Sequence, residues 1–109
     1  MTAAANYVQV MTTTDQEEEA AQLAHKLLQA RLVACVQIVG PITSHYWWQG
    51  ELEQATEWLC VIKTRGELLD EVVETLHREH SYDTPEITAT PIVGGSDRYL
   101  DWIRQEASG

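Results

Sequence analysis

Four histidines, two cysteines and a surplus of carboxylates are the side chains with which this 109-residue sequence can do chemistry. His77 and His80 stand three apart, with Glu74 a turn ahead of His77, a spacing that lets side chains share one helix face. Glu86 follows Pro85 just beyond. Imidazole with carboxylate suits Cu(II), Zn(II) or Ni(II), and Cu(II) is held tightest by such a set. The competing reading is a solvated helix face that happens to carry two histidines. His25 and His45 have no partner at a telling spacing and read as structural or solvent-exposed. Cys35 and Cys60 each lie inside an apolar run, which predicts buried, reduced thiols; apolar burial raises a thiol's pKa and makes it a poor nucleophile. The sequence has no phosphate-cradling glycine loop, His-Glu-x-x-His, Cys-x-x-Cys or Gly-x-Ser-x-Gly elbow. We therefore expect no catalytic residue, no enzyme activity and no required cofactor.

Seventeen acidic residues against seven basic ones give a formal net charge of −10. Phosphate backbones and anionic membranes are bound mainly through Lys and Arg, so neither nucleic acid nor a membrane is an expected partner. Metal cations and basic partners are attracted instead. No apolar run approaches the roughly 20 residues that span a bilayer. Residues 1–6 carry neither a basic region nor an apolar signal core. With the two reduced cysteines, this predicts a cytoplasmic protein.

The elements that must position these side chains follow from periodicity. Residues 7–11 alternate as a first strand. Thr12-Thr13-Thr14-Asp15 then reads as N-cap chemistry, with Thr14 and Glu17 at capping-box spacing and three glutamates at the positive end of a helix dipole. Ala20, Leu23, Ala24, Leu27 and Leu28 share one face of that helix. Residues 33–63 read as one long hairpin, bent or bulged at Gly40-Pro41 and reversed at Gln49-Gly50. A second helix over 67–80 buries Leu68, Leu69, Val72, Val73 and Leu76. A last strand over 86–93 and a short helix capped by Ser96 or Asp97 complete the chain. The order is β-α-β-β-α-β plus a terminal helix. It predicts a single α+β domain over 1–109, ferredoxin-like, with a four-stranded antiparallel sheet covered by helices on one face.

Each arm of the hairpin runs about 14 residues, roughly 45 Å at the usual strand rise. A compact domain of this length is only about 35 Å across. The tip, with Tyr46, Trp47 and Trp48, should overhang its own body. An aromatic strand end in water invites association, and edge pairing in a closed ring of copies removes the hazard. The alternative is a hairpin folded back over its own sheet at Gly40-Pro41.

Several strings are together distinctive: Ala34-Cys35-Val36-Gln37-Ile38, Gly40-Pro41-Ile42, Ser44-His45-Tyr46-Trp47-Trp48-Gln49-Gly50, Glu57 and Ile62-Lys63-Thr64. The later part adds His80-Ser81-Tyr82-Asp83-Thr84-Pro85-Glu86, Pro91-Ile92 and Tyr99-Leu100-Asp101-Trp102. In order and over nearly the whole chain, these resemble the CutA divalent-cation-tolerance family. The resemblance implies a ferredoxin-like homotrimer whose long hairpins pair between subunits. It further implies a cytoplasmic role in tolerance of copper and other divalent cations, with no catalytic activity. The copper ligands it implies are a first-strand cysteine, a histidine near the end of the second helix and the glutamate after the proline. Here these fall on Met11, on His80 (or Glu79, one residue earlier) and on Glu86. Met11 replaces a thiolate with a weaker thioether. Copper is the first candidate ion and zinc the second.

Tyr46, Trp47, Trp48, Glu57, Trp58 and Lys63 are the expected residues of a trimer interface or intersubunit cleft. Glu57 and Lys63 are candidates there for a structural ion pair. Two other functions remain open: a PII-like signalling trimer binding a small anionic ligand between subunits, which rests on fold analogy, and a purely structural scaffold.

Overall fold

The structure, a computed structural model, describes residues 5–109. The expectation for residues 1–6 therefore falls mostly on residues 1–4, outside the described residues. Strand β1 (Tyr7–Thr14) leads into helix α1 (Glu17–Gln29), then the hairpin of β2 (Cys35–Trp48) and β3 (Glu51–Arg65). A short 3-10 turn, Gly66–Leu68, opens helix α2 (Leu69–Glu79); β4 (Thr88–Pro91) and α3 (Asp97–Glu106) follow. The four strands form one sheet in the order β2-β3-β1-β4, every neighbouring pair antiparallel. This is the predicted split βαβ arrangement.

Alternation along the strands divides the sheet into two faces. Val8, Val10 and Thr12 of β1 and Cys60, Ile62 and Thr64 of β3 are all buried, and Val8, Val10, Cys60 and Ile62 join Leu23 and Leu27 of α1 and Val72 and Leu76 of α2 in one core. The opposite face carries Gln9, Met11, Leu59, Val61 and Lys63, which remain half-buried. α3 closes one end of the molecule: Ile103 and Ala107 are fully buried, and the Arg65 guanidinium donates to the Ala107 carbonyl at 2.7 Å.

Four expectations are corrected. Thr12, Thr13 and Thr14 continue β1, paired with Cys60, Leu59 and Trp58. The long partner strand offers ladder hydrogen bonds beyond Met11, and these outcompete a cap. The N-cap of α1 is Gln16 without a side-chain bond; Thr14 Oγ1 donates instead to the Gln16 carbonyl at 2.8 Å, so no capping box forms. Val73 lies on the exposed side of α2. The last strand is only Thr88–Pro91 and is exposed along its length, consistent with prolines at 85 and 91 that donate nothing to a ladder. Cys60 is buried, but Cys35 is only partly so. Ser96 does cap α3, accepting from the Tyr99 amide at 3.3 Å.

The hairpin turns at Gln49 and Gly50, both at positive φ (51° and 80°), the backbone that a two-residue hairpin turn requires. Lower down, the register jumps from Val39↔Leu59 to Ile42↔Glu57. Gly40 and Pro41 thus oppose Trp58 alone, a bulge with a consequence for every residue beyond it. Below the bulge, Cys35, Gln37 and Val39 share a face with Leu59, Val61 and Lys63. Above it, Ile42, Ser44, Tyr46 and Trp48 take over that face and stand beside Glu57. Gly40 is required because the Trp58 ring packs over it: a Cβ there would lie 2.5 Å from Trp58 Cδ1.

The sequence predicts an arm longer than its body, and the molecule measures 44 × 26 × 24 Å. At the arm's end Trp47 is 72% and Leu52 68% exposed. The arm does not fold back over its own sheet.

Candidate functional site

Where the arm leaves the body, it faces the segment between α2 and β4 across a cleft of about 780 Å³. Ser44, Tyr46 and Trp48 come from the arm, Tyr82, Asp83 and Glu86 from the facing segment, and Thr13 and Glu57 line it from β1 and β3. The bulge selects the aromatic residues on Glu57's face. The ladder to β1 ends at Trp58↔Thr14, which leaves Glu57 as the first β3 residue beyond that pairing.

Glu57 is only 6% exposed. Its Oε2 accepts the Tyr82 hydroxyl at 2.7 Å. Burial first, then the hydrogen bond to Glu57 and that carboxylate's charge, push the Tyr82 phenol well above its ordinary pKa. Tyr82 therefore stays protonated and keeps its role as donor.

His80 is built into the same wall. It follows the last residue of α2 with an extended backbone (φ −78°, ψ 143°), so it does not share a helix face with the exposed His77. Its side chain is fully buried. Nδ1 accepts the Tyr82 amide at 3.0 Å, which makes Nε2 the protonated nitrogen that donates to the Thr13 carbonyl at 2.8 Å. The imidazole also lies 4.9 Å from the Tyr82 ring, centroid to centroid. Glu19 Oε2 is 3.7 Å from Nδ1, but this carboxylate accepts the Ser81 amide and hydroxyl, each at 2.8 Å. His80 thus pins the start of the 81–86 segment to β1 and positions Tyr82 for Glu57.

The other predicted site residues disperse. Met11 sits on the half-buried sheet face between Val61 and Thr88. Glu86 is exposed, lines the cleft and accepts from the Thr88 hydroxyl at 3.3 Å. Trp58 packs against the core from the helix-covered side. Lys63 donates to Gln37 Oε1 at 2.6 Å, and no Glu57–Lys63 ion pair occurs among the described residues. His45 lines the cleft, while Glu74 is an exposed partner of Arg78.

Both His80 nitrogens are committed to backbone groups, and among the described residues no three His, Cys, Asp or Glu side chains gather as ligands. Cys60 is pushed up to about 11 by burial and by Glu19, so it is a protonated thiol near neutrality. Cys35 Sγ lies 3.6 Å from the Tyr99 hydroxyl, which with burial pushes that phenol up to about 12.

The family model described as "CutA1 divalent ion tolerance protein" matches residues 8–106. The chain belongs to the CutA1 family. It is 45% identical over 94 residues to the divalent-cation tolerance protein CutA of Archaeoglobus fulgidus, covering 86% of this chain and 91% of that protein. It is 43% identical over 95 residues to the chloroplastic protein CutA of Arabidopsis thaliana, covering 87% of this chain and 52% of that protein. The chain thus spans about half the length of such plant relatives. The solved structure described as the periplasmic divalent cation tolerance protein CutA from Archaeoglobus fulgidus superimposes with a TM-score of 0.90 at 42% identity, covering 93% of this chain and 98% of that one. Among the described residues, no helix is long and apolar enough to cross a membrane.

The Glu57–Tyr82 bond escaped sequence reasoning. Both residues stood in the family-like strings, but nothing in a separation of 25 positions pairs them. Asp83 was likewise unassigned.

Proposed function

We propose that the protein acts as a homotrimer in the response to divalent cations, without a catalytic step of its own. The observation that carries this reading is the charge of the cleft: Glu57, Asp83 and Glu86 line it, and among the described residues neither Lys nor Arg does. On a chain of net charge −10, such a concavity concentrates cations and repels anions. That favours a cation-linked role over a PII-like module for anionic metabolites. The names of the relatives, divalent-cation tolerance proteins, point the same way.

In this reading the ion meets the exposed carboxylates Glu86 and Asp83 at the cleft mouth. His80 serves as the strut behind them, and joins only if its bonds to Thr13 and Tyr82 are released; Met11 would add a thioether from the neighbouring strand. Copper is the first candidate and zinc the second, since Cu(II) is favoured at nearly any nitrogen and oxygen donor set. Trimerisation is supported by the exposed tip, where Trp47 and Leu52 lie open to cover by other copies; the number three comes from the family resemblance. Free thiols at Cys35 and Cys60 favour a cytoplasmic location, which cell fractionation checks.

Calorimetric titration tests the ion site. Cu(II) or Zn(II) should bind stoichiometrically, and at least tenfold more weakly to an Asp83→Asn, Glu86→Gln double variant. Unchanged affinity in that variant removes the site. Light scattering tests the assembly: three 12.3 kDa protomers per particle are expected, and a lone protomer defeats the trimer.

A further inference from the structure

The inner half of the cleft has a chemistry that a metal ion does not explain. Glu57 is 6% exposed, yet among the described residues only its Oε2 receives a hydrogen bond, and no Lys, Arg or His pairs with it. That leaves Oε1 without a protein partner in the cleft, where a cation would pair with it. The walls beside it are aromatic: Tyr46 and Trp48 project from the same sheet face, and Tyr82 stands opposite. Aromatic faces attract organic cations through their quadrupoles, whereas they offer a hard metal ion no donor atom. The volume, about 780 Å³, is far larger than an ion needs and lies within the roughly 300–1,000 Å³ of small-molecule sites.

We infer that the inner cleft is a receptor for a small organic monocation, an ammonium or guanidinium compound. Its charge sits against the open oxygen of Glu57 and its carbon or planar face against Tyr46, Trp48 and Tyr82. Tyr82 holds the carboxylate in place by donating its hydroxyl proton to the other oxygen, so that one oxygen stays directed at the ligand. This site is independent of the divalent ion at the mouth, whose contacts are Asp83 and Glu86.

The test titrates the full-length protein, in its native assembly and with EDTA present, with choline and with methylguanidinium. The uncharged choline isostere 3,3-dimethyl-1-butanol serves as control. Calorimetry and tryptophan fluorescence are read together. At least one cation should bind saturably, and the alcohol at least tenfold more weakly than choline where choline is the binder. Glu57→Gln should weaken the cation at least tenfold, and Glu74→Gln, at an exposed partner of Arg78 outside the cleft, should change it less than twofold. Tyr46→Leu keeps an apolar wall but removes the π face; it should weaken the cation at least threefold and leave the alcohol unchanged. If circular dichroism shows that Glu57→Gln does not fold, Tyr46→Leu decides. A blank titration, as when a neighbouring copy fills the cleft, overturns the inference. So does equal binding of choline and its isostere, or binding indifferent to both the Glu57 and Tyr46 substitutions. Because no free metal is present, these results are separable from the fate of the divalent-cation site.

Discussion

One strand, β3, lives in two environments. Near its C-terminal end Cys60, Ile62 and Thr64 are at most 1% exposed; near its start Leu52 is 68% exposed, although both stretches pair with β2. What differs is cover. A helix of 13 residues, as α1, spans only about 20 Å, whereas a strand of 15, as β3, spans roughly 50 Å. Even laid along the strands, the helices end where the arm begins. Pairing decides where the sheet goes; helix length decides how much of it becomes core. The cleft lies at the border, where Glu57 is still shielded and Tyr46 and Trp48 are not.

Truncation sharpens this contrast most. Leu76→Ala, in a fully buried position, should cost about 2–5 kcal/mol in chemical denaturation. Leu52→Ala should cost the protomer less than about 1 kcal/mol and act mainly through the concentration dependence of the midpoint. Equal, concentration-independent losses would break the comparison. At the border, Tyr82→Phe removes a hydrogen bond to a buried carboxylate and should cost about 1.5–3 kcal/mol. Gly40→Ala drives a methyl into the Trp58 ring and should cost about 1–3 kcal/mol, seen as a lower melting temperature.

A body-specific effect is expected in alkali. Cys60 has its pKa raised from 9.0 to about 11 in the folded state, so between these values the unfolded chain has lost a proton that the native one keeps. Stability is then full below pH 9 and falls as pH rises through 11. Tyr82 contributes with the same sign. Cys60→Ala should flatten the fall in melting temperature across pH 9–11, and an unchanged slope would contradict this burial. The smallest effect belongs to the turn: Gln49→Asn places a residue more tolerant of positive φ there and should raise stability by well under about 1 kcal/mol.

Much of the fold was legible because its signals are local. The alternation at 7–11, the 3.6-residue stripe of α1, the Ser96 cap and the Gln49-Gly50 reversal each depend on neighbours a few positions apart. The overhang followed from strand rise alone. The Thr12–Thr14 stretch misled because its cap chemistry is local, whereas the pairing that extended β1 comes from residues 58–60, over forty positions away. His80 read as a ligand because an exposed imidazole and one fixed by the Thr13 carbonyl and the Tyr82 amide have the same letter. Glu57 could be singled out as a polar residue in an apolar strand, but its partner lies in a segment with no periodicity to read.

The extra residue at Gly40-Pro41 also limits how the arm can vary. Between Ile42 and Trp48 side chains alternate strictly, so inserting or deleting a single position there would put Thr43, His45 and Trp47 on Glu57's face in place of Ser44, Tyr46 and Trp48. Changes in pairs would lengthen or shorten the arm and leave the wall facing Glu57. The stretch is in effect quantised in steps of two, and related chains that keep this cleft should differ here by even numbers of residues or carry a second compensating bulge.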